Sequence, residues 1–152
     1  MQLFRLTLRE YAAPLSGKGA ALWGARWNSA GIELIYTAAN RSLAMAEVLV
    51  HMTFGTVPTD YVMVTINVPD DVSVDVLEKK TLPADWSRFP HTAPTQALGD
   101  KFVADGKSCI LQVPSVVTAG EFNFLINPHH AEFSRVKIVA IEDFRFDKRL
   151  VR

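Results

Sequence analysis

The chain predicts an α+β fold: one compact domain, residues 1–152, built on a mixed or antiparallel sheet. Three observations carry this. Strand-like segments outnumber helical ones and do not alternate with them regularly, which argues against a doubly wound sheet. The 152 residues are 49% hydrophobic and 21% charged, an ordinary globular composition for a chain that buries roughly 70% of its unfolded surface. No repeat, low-complexity tract or linker divides it.

Each element follows from local pattern. Gln2 to Leu8 alternates apolar and polar residues as a half-buried strand does. Tyr11 to Gly31 mixes four glycines with polar and aromatic residues and reads as an irregular segment. Ile32 to Ala38 is strand-like, and Asn40 or Ser42 is placed to cap a helix over SLAMAEVLVHMTF that Gly55 and Pro58 stop. Tyr61 to Val68 and Val72 to Val76 read as consecutive sheet elements around the turn residues Pro69-Asp70-Asp71. Leu82 to Pro94 is a long connection, Thr95 to Ala104 a short amphipathic helix ended by Gly106. Cys109 to Val117 is a strand broken at Pro114, which cannot donate to a ladder, so Ser115 falls where the sheet opens. Glu121 to His130 is short and asparagine-rich, and Lys137 to Phe146 returns to a strand pattern.

Several function classes lose support at once. Sixteen basic and sixteen acidic residues give a formal charge of zero, so the field that long contact with nucleic acid or anionic lipid exploits is missing. No nucleic-acid or membrane partner is expected. Cys109 is the single cysteine, which excludes an internal disulfide and a cysteine-built zinc site and fits a reducing cytoplasm. The N-terminus carries Arg5, Arg9 and Glu10 where a signal peptide needs an unbroken apolar run, and no window reaches the roughly 20 apolar residues of a membrane span. The four histidines form no HExxH pattern, Ser115 stands in no GxSxG elbow, and phosphate-loop and dinucleotide fingerprints are absent.

A few side chains stand out chemically. Glu47 is the only charge in Leu43–Val50 and shares a helical face with Leu43, Val50 and Phe54. A carboxylate there must be compensated by a cation or by donors, as a structural pair with His51 or an arginine, or as part of a site. Arg5, between Phe4 and Leu6, either faces solvent or meets an anion. Arg26 lies between Trp23 and Trp27, whose indoles either flank a guanidinium or ligand ring or simply pack. Tyr36 closes its strand just before the Glu47 helix, so strand end and helix can line one cleft.

Taken together, GARWNSAGIELIYTA, SLAMAEVLVH, VPSVV, FNFLINPHH and the terminal FRFDKRL resemble, in order and over almost the whole chain, the RES-domain family named for its Arg, Glu and Ser positions. The resemblance implies an ADP-ribosyltransferase-like fold and the breakdown of NAD by the toxin of a type II toxin–antitoxin pair. It also implies an Xre-like helix-turn-helix antitoxin as partner and a homodimer within the complex. The family positions fall on Arg5, Arg26, Tyr36, Glu47 and Ser115; the usual Gly-Gly before RWN is Gly24-Ala25 here.

The implied chemistry suits these residues. Cleaving the nicotinamide–ribose bond develops an oxocarbenium-like cation that Glu47 is suited to stabilise. Arg5 and Arg26 are expected to anchor the pyrophosphate and the Tyr36 ring to stack on nicotinamide. Ser115, with Asn123, is expected to orient a ribose hydroxyl or the carboxamide. The expected catalytic set is Glu47, Arg5 and Tyr36; NAD is the substrate, and no metal or further cofactor is expected. The acceptor, water or phosphate, is open, as are ADP-ribosyl transfer to a protein and a noncatalytic partner-binding module.

Overall fold

A computed structural model describes residues 1–53 and 59–151. The elements run β1 (Gln2–Leu8), α1 (Lys18–Trp23), β2 (Ile35–Ala38), α2 (Arg41–Leu49), β3 (Tyr61–Asn67), β4 (Val74–Val76), α3 (Ala93–Asp105), β5 (Ile110–Pro114), β6 (Phe122–Ile126) and β7 (Lys137–Phe144). The strands form one mixed sheet in the order β4-β5-β6-β2-β1-β3-β7. Only the β4–β5 pair is parallel, so the expected α+β architecture with a mixed sheet is the observed one.

The sheet has a seam. β1 and β3 pair along their whole length, from Gln2 with Asn67 to Leu8 with Tyr61, whereas β1 and β2 share the single register pair Phe4 with Ala38. Past that pair the two strands diverge. The sheet also curls. β3 and β4 follow one another in sequence but lie five strand spacings apart, about 24 Å if the sheet were flat. The chain from Asn67 to Val74 reaches about 25 Å only when fully extended, yet the Val72 N–H donates to the Pro69 carbonyl in a turn. These two strands are therefore not neighbours, because each finds its partner at a distance.

Three apolar clusters fill the space around the curled sheet. Leu3, Ile35, Val64 and Ile110 lie in the central one. Trp27, Trp86, Phe102 and Leu125 pack beneath α3, and Leu6, Ala38, Leu43 and Met63 beneath α2.

Asn40 caps α2, its side-chain oxygen accepting from the Leu43 N–H at 2.8 Å, and its amide donates to Glu121 at 2.9 Å. One residue thus starts the helix and ties it to the turn before β6. The helix ends at Leu49 rather than at Phe54; Phe54, Gly55 and Pro58 lie outside the described residues. α3 begins two residues earlier than its pattern, at Ala93, with Pro94 in its first turn, where a missing N–H costs nothing. It ends on Gly106 in the left-handed region, φ +59°.

The segment read as irregular contains the short helix α1. Its glycines hid a helix of six residues, under two turns, with no buried residue and no apolar period to announce it.

Candidate active site

The seam between β1 and β2 opens into a cavity of about 870 Å³, walled by α2 on one side and by residues 24–27, Phe89 and His91 on the other. That volume suits a ligand of cofactor size.

Glu47 projects from α2 into this cavity. Its Oε1 accepts from the Ser115 hydroxyl at 2.8 Å and from the Asn123 amide at 2.7 Å. The Ser115 oxygen in turn accepts from the N–H groups of Val117 and Thr118 at 3.1 and 3.0 Å, so its one hydrogen is committed to Glu47. Pro114 ends the β5 ladder and the Ser115 N–H crosses to the Glu121 carbonyl at 2.8 Å, which aims the hydroxyl back at α2. Two donors therefore fix one oxygen of the carboxylate, while Oε2 takes no donor among the described residues. His51 is not its partner, and no ion pair of the described residues includes Glu47.

Arg5 follows the seam pair and also lines the cavity. Its Nη1 is buried without a hydrogen-bond partner among the described residues, and burial pulls the guanidinium below its ordinary pKa. A desolvated cation with an unused donor is complementary to an anion or a carbonyl oxygen.

Arg26 reaches the cavity wall but spends Nη1 on two carbonyls, of Trp86 at 2.7 Å and Arg88 at 2.9 Å. Burial lowers its pKa and the charge of Glu47 opposes that shift. The indoles do not flank it: Trp27 is buried against Trp86, ring centroids 6.4 Å apart, and Trp23 is 88% exposed. Arg26 therefore fastens the connection 86–88 to the wall. The next residues of that connection, Phe89 and His91, line the cavity.

Tyr36 gives the cavity its ring, while its hydroxyl donates to Asn28 Oδ1 at 2.6 Å and accepts from the Trp27 N–H at 3.1 Å. Burial pushes the phenol well above its ordinary value, so it stays a neutral donor. The Asn28 amide donates to the carbonyls of Ala20 and Ile32 at 3.0 and 2.9 Å, making this fully buried residue the hub of the loop. α3 holds the same loop from behind: Gln96 donates to the Ala25 and Asn28 carbonyls, and Asp100 accepts from Ser29. A Cβ on Gly99 would stand 1.6 Å from the Trp27 carbonyl oxygen, so only glycine lets helix and loop meet. Gly24 has φ +74°, and a Cβ there would stand 3.0 Å from the Asn28 carbonyl oxygen. The neighbouring Ala25 keeps its methyl.

Sequence reasoning thus named Glu47, Arg5, Arg26, Tyr36, Ser115 and Asn123, and the structure brings all six to one cavity or its immediate support. It missed Phe89 and His91, which belong to a proline-rich connection without period, and the bracing by Asn28, Gln96, Gly99 and Asp100. The run RWN was the one available signal for Asn28. Among the described residues no cluster of His, Cys, Asp and Glu is arranged to hold a metal ion, and no helix is long and apolar enough to cross a membrane.

The RES domain family model matches residues 2–147. The chain is 35% identical over 147 residues to the Prs ADP-ribosylating toxin of Sphingobium sp., covering 95% of this chain and 91% of that protein. It is 36% identical to Toxin Res of Photorhabdus laumondii, covering 100% and 98%. Its fold is similar to that of a chain in the crystal structure of the M. tuberculosis MbcT–MbcA toxin–antitoxin complex, with a TM-score of 0.74, 22% identity, and coverage of 95% and 84%. Matched almost end to end by the family model and by full-length toxins, the chain belongs to the RES domain family of toxins.

Proposed function

We propose that this chain consumes NAD by breaking the bond between nicotinamide and ribose, and that an antitoxin restrains it. The observation that carries the reading is the state of Glu47: one oxygen fixed by Ser115 and Asn123, the other left for a ligand, in a cavity that also holds the unpaired Nη1 of Arg5. In the reaction the C1′–N bond breaks and nicotinamide leaves with the electron pair. Positive charge grows on the ribose, and the preorganised carboxylate stabilises it. Water or phosphate then bonds to C1′ and releases a proton.

The other residues divide the substrate. Arg5 donates to an anionic or carbonyl oxygen, and the Tyr36 ring covers an aromatic face. Arg26 contributes through its remaining N–H groups and by holding the Phe89 wall in place. Exposed apolar side chains border the mouth: Val50 and Phe89 line it, and Trp23 adjoins Gly24, which does too. Such a rim suits a protein partner that covers the opening, in keeping with the toxin–antitoxin complex of similar fold. The Xre-like identity of that antitoxin and a dimeric assembly rest on the family resemblance.

Mass spectrometry of nicotinamide, ADP-ribose and its phosphate ester after incubating the purified chain with NAD tests the reading. Wild type should release nicotinamide; Glu47→Gln, which keeps shape and removes charge, should slow release by about 10²-fold or more. Undiminished release by Glu47→Gln would overturn the role of Glu47. ADP-ribose identifies water as acceptor, and the phosphate ester identifies phosphate. A second reading, transfer of ADP-ribose to a protein, is favoured by the relative named for ADP-ribosylation; label retained on protein distinguishes it.

A further inference from the structure

The seam leaves the sheet in two parts, β4-β5-β6-β2 and β1-β3-β7, joined by the one register pair Phe4 with Ala38. α2 is tied to both. On the first side its cap Asn40 donates to Glu121 at 2.9 Å, and Glu47 accepts from Ser115 at 2.8 Å and from Asn123 at 2.7 Å. On the second side the tie is Arg41, the first residue of the helix. Its Nη2 stands 2.8 Å from Glu142 Oε2 on β7 and donates to Thr65 Oγ1 on β3 at 3.5 Å, while its Cζ lies 5.3 Å from the ring centre of Phe4 on β1. One guanidinium thus meets all three strands of that part. Phe4 is the residue that makes the seam pair, and it is also the register partner of Thr65, so the two side chains share one face of the sheet.

The other contacts of α2 with this part are apolar, Leu43 and Ala44 packing in one cluster with Leu6 and Met63. Apolar burial is non-directional and fixes the depth of a helix better than its place along a strand. A planar guanidinium held by a carboxylate, a hydroxyl and a ring has far less freedom. Among the described residues Arg41 is the one side chain of α2 with a polar bond to β1, β3 or β7.

This tie bears on the cavity because the polar groups there are divided between the two parts. Glu47 is fixed by Ser115 and Asn123 on the first, whereas Arg5, with its unpartnered Nη1, stands on β1 in the second. A ligand held by Arg5 and met by Glu47 spans the seam. The length it must span is set by what joins the parts, which is one strand pair and α2.

Resting on the reading of the site as one that cleaves NAD, we propose that Arg41 is a positioning residue for that reaction: by fastening α2 to β1, β3 and β7 it holds Glu47 at a fixed reach from substrate anchored on β1. Arg41 does not itself line the cavity. It acts through the helix.

Arg41→Met keeps an aliphatic stem over Phe4 and removes the cation. The kcat for nicotinamide release should fall by about fivefold to twentyfold with KM within about twofold of wild type, because a small displacement of one reacting group costs rate more than ground-state binding. In a Glu47→Gln background, where no carboxylate is left to place, the same substitution should change kcat by less than about twofold. Arg41→Lys, which restores the charge without the fork, should recover most of the loss. An unchanged kcat in Arg41→Met overturns the proposal, as does a loss carried by KM, a loss of equal size in the Glu47→Gln background, or one that Arg41→Lys does not ease. If Arg41→Met does not fold, Glu142→Gln takes away one partner and keeps the cation; it should lower kcat by about twofold to fivefold, less because the ion pair is exposed, and an unchanged kcat there overturns the proposal.

A second measurement needs no NAD. Nitroxide labels on Ser42→Cys in α2 and Val139→Cys in β7, both exposed positions, with Cys109 buried, should give one narrow distance distribution, broadened by Arg41→Met. Broadening in a chain that does not consume NAD means that the tie stands and the proposed activity falls. NAD consumption with a distribution that Arg41→Met leaves narrow means that the activity stands and the positioning role falls.

Discussion

Two glutamates in this molecule are each held by a serine, at opposite ends of β5 and β6, and they serve different ends. Near the start of β5, Glu132 Oε2 accepts from both the hydroxyl and the N–H of Ser73. The Ser73 oxygen accepts from the Cys109 N–H at 3.0 Å, and His130 Nδ1 stands 3.7 Å from the same carboxylate. Beyond the end of β5, Glu47 Oε1 accepts from Ser115 and Asn123. In both, two donors meet one oxygen.

The surroundings set them apart. Glu132 clasps the turn before β4 to the connection before β7, and its hydrogen bonds to Ser73 hold it below the usual carboxylate range. No unpartnered buried side-chain atom accompanies it among the described residues. Glu47 faces a cavity that also contains Arg5 Nη1 and Asn123 Oδ1, both buried and unpartnered. A serine–glutamate pair is a fastening where every neighbour is satisfied, and part of a site where neighbours are left with hydrogen-bonding capacity to spare.

Exchanging the two acids gives the sharpest contrast. Glu47→Gln should remove most NAD turnover with little change in Tm, whereas Glu132→Gln should leave turnover within about twofold of wild type. Loss of activity in Glu132→Gln at full folding would erase the distinction.

Ser115→Ala comes next in size. Removing the hydroxyl takes one donor from Glu47 and the shared acceptor from two N–H groups. Turnover should fall by about tenfold, and stability by about 1–3 kcal/mol in urea unfolding, since groups are left unpaired in a buried place. A stability loss without a kinetic one would make Ser115 a fastening like Ser73.

The Glu132 clasp has a pH signature of its own. Its folded pKa is depressed, so its stabilisation is present above the unfolded value of about 4.3 and is lost as pH falls through the folded value. Wild type should exceed Glu132→Gln in Tm at pH 7, with the gap closing below about pH 4. A gap that stays constant down to pH 3 would contradict the assignment.

The smallest effect concerns Cys109 beside the same clasp. Burial is the main cause, and the charge of Glu132 a lesser one, that pushes its thiol up to about 11. The native protein should resist alkylation at pH 8 and react on unfolding. Prompt native labelling would mean that this end of the strands opens.

Much of the site was legible because its residues break local rules. Glu47 is a lone charge in an apolar helical run, and Ser115 follows a proline that must end a ladder. Other roles left no local mark. Arg26 reads equally well as a ligand anchor or as a stacked cation, and only the carbonyls of Trp86 and Arg88, some 60 residues on, show that it fastens a wall. Ser73 and Glu132 are 59 residues apart and neither breaks a pattern. Trp23 and Trp27 look alike in sequence, yet one is 88% exposed and the other is core.

What the sequence by itself determined is therefore local: the strand alternation, the Asn40 cap, the glycine stop of α3, and the chemical identity of the residues available. These depend on neighbours within a few positions, where backbone hydrogen bonding and side-chain period act. The tertiary structure alone decided that β1 and β2 share one pair and then part, that Glu47 is met by donors 68 and 76 residues away, and that Arg5 and Asn123, both lining the cavity, keep buried polar atoms without a partner among the described residues. Those facts follow from which distant strands pair and how the sheet curls, and pairing at such separation is set by burial of the whole core.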